Sequence, residues 1–163
     1  MAIVEGDDKE MKKMLKVSIV PLMFATILWG CSGKPAERQN IESSDFLDCP
    51  DTPNCVSSLA KNPKHRVEPF KLNKDPETSW SIVKKTVVQL PRTKVVLADN
   101  SDIHAECRSM IFRFVDDLTL HLTSSSGIIH IRSASRVGYS DLGVNRRRVE
   151  NLRKKLQQKN IIE

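Results

Sequence analysis

Seven side chains able to do chemistry crowd the stretch RSASRVGYSDLGVNRRR: Arg132, Arg136, Tyr139, Ser140, Asp141, Asn145 and Arg146. Guanidinium groups next to the free N–H groups of a helix start make a receptive corner for an anion. A phosphate, a carboxylate or a sulfate is the ligand such a corner would take. The same residues serve equally well as a junction, with Asp141 capping a helix or pairing with an arginine and Asp116 or Asp117 taking another. A third use is catalysis on an envelope component through Arg136, Tyr139 and Asp141.

A second constellation follows from strand parity. His104, Glu106, Arg108, His121, His130 and Arg132 fall on one parity set of alternating segments. If those strands align, three histidines share a surface, which suits a metal or a proton transfer. Otherwise they belong to a solvated polar face. Serine is abundant, but the sequence has no G-x-S-x-G elbow and no glycine-rich phosphate loop. Nothing in it implies a cofactor.

Four cysteines are present. Cys49 and Cys55 bracket CPDTPNC, a short loop stiffened by two prolines. In an oxidising compartment the two thiols can meet as a disulfide. The rival is a metal site using both with a histidine, although zinc thiolate pairs more often stand closer together. Cys107 shares its side of a strand with Ile103 and Ala105, so it is expected to be a small buried hydrophobe.

The elements that must hold these groups read as an α+β domain. Residues 66–72, RVEPFKL, suit a short edge strand weakened by Pro69. Asp75 and Pro76 open a helix whose apolar stripe is Trp80, Val83, Val87 and Leu90, and Pro91 ends it. Strands are expected over 93–98, 102–114, 118–123 and 128–133. The last helix aligns Leu142, Asn145, Val149, Leu152 and Leu156 on one face. Starting it near Ser140 keeps Arg146, Arg147 and Arg148 out of the first turn, where they would oppose the helix dipole. Arg148 and Arg153 flank the stripe and can reach carboxylates; Arg147 and Lys154 point away, free for partners. The order strand, helix, four strands, helix predicts an antiparallel sheet of about five strands with both helices on one face, by analogy one TATA-binding-protein repeat.

Upstream lies an apolar run, residues 17–30, preceded by Lys12, Lys13 and Lys16. It is shorter than the about 20 residues a spanning helix needs, and Pro21 interrupts it. Basic flank, short apolar core and small residue before a cut site are the order of a secretory signal. Leu28-Trp29-Gly30-Cys31 resembles a bacterial lipobox. That resemblance implies a diacylglyceryl group on Cys31, cleavage after Gly30 and a further, palmitate-type acyl chain on the new amino group. The alternatives are an ordinary signal peptide with Cys31 incidental, or a plain membrane anchor. The acidic opening MAIVEGDDKE suits a signal poorly, whereas MKKMLK from Met11 suits it well, so translation is expected to start at Met11. The expected organisation is a lipoprotein signal over 1–30, the lipidated cysteine and a polar tether over 31–45, and one domain over 46–163.

The longer motifs CPDTPNCVSS (49–58), FRFVDD (112–117) and IRSASRVGYSDLGVNRRRVENLR (131–153) resemble the family catalogued as domain of unknown function 1499. The likeness runs from about Leu47 to Leu156. It implies a bacterial or plastid-type family, often membrane-associated, without an agreed activity, and so transfers no catalytic residue.

The formal net charge is +6, and residues 142–163 hold seven basic and two acidic side chains. Outside the cytosol such an excess favours anionic lipid, glycan or an acidic protein over nucleic acid; it also fits a solvated helix face. The expected protein is thus a lipid-anchored domain on the cell membrane or outer membrane, facing away from the cytoplasm, that binds an anionic ligand or a protein partner. Ser32, where inner-membrane retention often uses Asp, favours the outer membrane.

Overall fold

The computed structural model describes residues 48–163. The apolar run, Cys31 and the whole of the proposed tether lie outside the described residues. No described helix is long and apolar enough to cross a membrane.

Among the described residues, six strands form one antiparallel sheet that carries two helices. The strands are β1 (Cys55–Ser57), β2 (Phe70–Lys71), β3 (Thr93–Ala98), β4 (Asp102–Arg108), β5 (Val115–Thr123) and β6 (Ile128–Ser135). The helices are α1 (Pro76–Val88) and α2 (Val144–Gln158). The sheet order is β1-β6-β5-β4-β3, and β2 also pairs with β6. β1 pairs with β6 at Ser133 and its neighbours and β2 at Ile129, so the two share one edge of that strand. The expected strand over 66–72 therefore shrinks to two residues. Pro69 has no N–H to give a ladder, and Arg66 keeps only an isolated bridge to Ser57.

Strand alternation sends Ile103, Ala105, Leu118, Leu120, Ile129 and Ile131 to one face, all fully buried. Trp80, Val83 and Val87 of α1 and Val149, Leu152 and Leu156 of α2 close over them in one cluster. Cys107 joins it as a buried free thiol, and burial raises its pKa. The α1 start is as expected: the Asp75 carboxylate accepts the Thr78 N–H at 2.8 Å and Pro76 opens the helix. Cys49 and Cys55 are joined by a disulfide.

Several boundaries differ from expectation: β5 begins at Val115 rather than 118 and β6 runs to Ser135 rather than 133. β4 ends at Arg108 rather than Phe114, because Arg108 already pairs with Val115 of β5. Residues 109–114 are the connection between them, and Phe112 and Phe114 are exposed. α2 starts at Val144 rather than near Ser140. Gly143 takes the left-handed conformation (φ 77°) just before it, and Leu142 (φ 53°) is 84% exposed, outside the stripe. Arg146 and Arg147 do stand in the first turn, with Arg148 just beyond it. Their repulsion from the helix dipole is offset locally: the Asp141 carboxylate accepts the Gly143 and Asn145 N–H groups at 2.9 and 2.7 Å.

Candidate functional site

The sheet face away from the helices carries a closed ionic network. Arg136 follows β6 and reaches back over the sheet, donating two hydrogen bonds to Asp117 of β5 at 2.9 and 2.7 Å and one to Glu106 of β4 at 2.8 Å. His104, the cross-strand neighbour of Thr119, pairs with Asp117 at 2.8 Å. Burial by itself would raise the Asp117 pKa. The hydrogen bonds from His104 and Arg136 outweigh it and hold this carboxyl at about 2. The hydrogen bonds that Arg136 donates to Asp117 likewise raise the pKa of its guanidinium, against its burial. Arg132 donates to the carbonyl of Asp48 at 2.9 Å.

A second buried network ties α2 to the other face of the sheet. Arg148 pairs with Asp116 at 2.5 Å and also donates to Ser133 and Asn145. Asn145, fully buried, accepts from Ser133 and donates to the Asn54 carbonyl and the Ser135 hydroxyl. Each of its polar groups has a partner, as burial demands.

The residues expected to form the anion corner are therefore spread over three places. Arg132 and Arg136 lie on the outer sheet face, and Asn145 is sealed beneath α2. Tyr139, Asp141 and Arg146 do meet, lining a cleft of about 310 Å³ with His65, Asn62 and Lys64. Asp51 and Asp141 balance its cations, and the Arg146 guanidinium donates to the carbonyls of Arg66 and Lys64 at 2.9 and 2.7 Å. The exposed Ser140 hydroxyl accepts the Leu142 N–H at 3.3 Å.

The three histidines do share the outer face, and His121 stands directly opposite His130. Each has a separate partner: Asp117 for His104, Asp102 for His121 at 2.7 Å, and Ser58 for His130 at 3.3 Å. Among the described residues no group of three or more His, Cys, Asp or Glu side chains could hold a metal ion. Burial, then the nearby His121 charge, lowers the His130 pKa, which favours the neutral ring. The Ser58 hydroxyl beside it already accepts the Ile131 N–H at 3.0 Å. A nucleophile–base pair would need a third group orienting that imidazole, and no carboxylate bonds it among the described contacts.

One site escaped the sequence reading. The ends of α1, β3 and β4 meet the outward face of α2 around a cleft of about 490 Å³. Arg92, Arg108, Arg147, Arg148, Lys154 and Lys155 line it, with Leu90, Pro91 and Val144 between them and no acidic residue. Arg92 takes a left-handed backbone (φ 54°) in the turn after α1, which sets it at the mouth. Its Nε donates to the Arg108 carbonyl at 3.2 Å and Arg147 donates to the Leu142 carbonyl at 2.9 Å, so both heads are positioned yet have no ion-pair partner among the described residues. Lys154 and Lys155 have no ion-pair partner among the described residues. The one sequence signal was the outward direction of Arg147 and Lys154; what completes the cleft comes from the turn at Arg92 and the end of β4, far away in the chain.

The family model described as "Protein of unknown function (DUF1499)" matches residues 45–156. The chain belongs to that family. The match takes in both ionic networks and nearly all of the cationic cleft. No curated protein and no solved structure matches the chain significantly.

Proposed function

We infer that this member of the family is a lipid-anchored domain of the bacterial envelope that binds an anionic ligand in the cleft between α2 and the ends of β3 and β4. The carrying observation is the sign of that cleft: six cationic side chains line it and no acid does, and although Arg148 and Arg108 are ion-paired with Asp116 and Glu106, Arg92, Arg147, Lys154 and Lys155 have no acidic partner among the described residues. Like charges such as those four, held near one another without a counter-charge, are costly unless an anion joins them. Guanidinium and ammonium groups at the rim match phosphate or carboxylate oxygens. The anchor reading is supported by the lipobox-like Leu28-Trp29-Gly30-Cys31 and the basic flank before it.

The two halves are tested separately. Titration of the full chain with pyrophosphate, followed by calorimetry, should give saturable binding that Lys154→Glu with Lys155→Glu weakens at least about tenfold. Absence of binding to the unaltered protein would remove the cleft reading. In the native organism, Cys31→Ser should release the protein from the membrane pellet; continued pelleting would sink the acyl anchor.

A further inference from the structure

The connection between β4 and β5 is short, shaped and apolar. Met110, Ile111 and Phe112 are 73%, 76% and 74% exposed, and Phe114 is 47% exposed. Contiguous exposure of large apolar side chains marks an interaction surface far more than scattered exposure does. The loop is also built. Ser109 and Phe114 clamp its base, with the Ser109 N–H donating to the Phe114 carbonyl and the Phe114 N–H to the Ser109 hydroxyl, both at 2.9 Å. Arg113, in the left-handed region (φ 56°), reverses the chain so that the Phe112 and Phe114 rings stack at 5.5 Å. An apolar tip held in one shape loses little freedom on docking.

Its surroundings name the partner. Arg92, Lys94, Arg108 and Arg113 line a groove at the loop's foot with Met110, again without an acid. Arg92, Thr93 and Arg108 are shared with the cationic cleft, so tip, groove and cleft form one continuous surface. An apolar protrusion ringed by arginine and lysine complements a bilayer with anionic headgroups: acyl chains accept the tip and phosphates meet the ring. An acidic protein would satisfy the cations but leave the protruding side chains unmatched.

We propose that the 109–114 loop inserts into an anionic phospholipid bilayer, with the adjoining cationic groove and cleft seated on the headgroups. This second membrane contact is independent of acylation at Cys31. It rests on the cleft reading for its charge component only, and it specifies the anion as a lipid headgroup. With an anchor in place, the loop fixes which face of the domain meets the bilayer.

The test uses the full chain carrying Cys31→Ser, so no acyl group contributes, with and without Phe112→Trp. The spectrum without the added indole is subtracted, which removes the signals of Trp29 and Trp80. The probe is vesicles of brominated phosphatidylglycerol or brominated phosphatidylcholine. Expected is a blue-shifted difference spectrum, quenched by bromine on the acyl chains, in the phosphatidylglycerol vesicles. In the neutral vesicles, apparent affinity should be about tenfold lower or worse, as expected when several cations contact the surface. An indole that stays in water with both lipids would overturn the proposal. So would equal insertion into both, or a blue shift that grows with protein concentration without lipid, which would mark a second copy as the occupant. Insertion by a protein that fails to bind pyrophosphate would leave the loop standing and remove only the soluble-anion reading of the cleft.

Discussion

Arg136 and Arg147 come from the same basic stretch and meet opposite fates. Arg136 lies over the outer sheet face, 8% exposed at its side chain, with Asp117 and Glu106 within 2.8 Å. Arg147 lines a cleft without a single carboxylate. The difference is the supply of acid. β4 and β5 each send a carboxylate to the outer face, where Arg136 can reach both. The charged side chains lining the cleft beside α2 come from Arg92, the end of β4 and the helix itself, and all are basic. A guanidinium amid its own carboxylates builds structure, whereas one denied them keeps its charge uncompensated by the described residues.

Breaking a closed network should give the largest effect. Arg148→Ala leaves the Asp116 carboxylate, 6% exposed, without its counter-charge. A destabilisation of about 3–5 kcal/mol is expected, read from urea denaturation midpoints. Asp117→Asn comes next. Its folded pKa of about 2 lies below the usual value, so the ionised form is stabilised by folding. That contribution, about 2 kcal/mol, is complete above roughly pH 5 and is lost as the pH falls toward 2. Stability followed from pH 6 to 2 should therefore decline in the natural protein, and Asp117→Asn should flatten the decline. The smallest effect belongs to the open region: Lys154→Ala with Lys155→Ala should shift thermal stability by no more than about 0.5 kcal/mol. A loss comparable to that of Arg148→Ala would erase the contrast between the two regions.

Local pattern made much of the fold legible. The stripe of Trp80, Val83 and Val87, the alternation of Leu118, Leu120 and Leu122, and the disulfide loop are all written in consecutive residues. The α2 boundary was not, because its start depends on Gly143 adopting φ 77° and on Asp141 reaching forward to two N–H groups. β1 escaped notice because three residues, Cys55–Ser57, carry no readable period. Phe112 and Phe114 fall on the opposite parity from Ile103, Ala105 and Cys107, a break in the alternation, and the pairing of Arg108 with Val115 shows that they stand outside the sheet. The expected anion corner failed to assemble for a similar reason. Its residues are neighbours in sequence, but Arg136 follows a strand and Asn145 sits inside a helix, so they face opposite sides of the sheet. The cationic cleft needed residues from the middle of the domain and from its last helix, and had no local signature beyond the direction of two side chains.

The Cys49–Cys55 crosslink joins the segment entering the domain to the first residue of β1. Any mechanical pull arriving through the chain upstream of Cys49 passes directly across the two sulfurs. Residues 50–54 thus lie outside the load path, and the traction is delivered to the ladder between β1 and β6. Reduction would place those residues in series with the force and let the Asn54 carbonyl, which anchors Asn145 of α2, be dragged outward. The bond is therefore a strain relief at the point where a leash would be fastened.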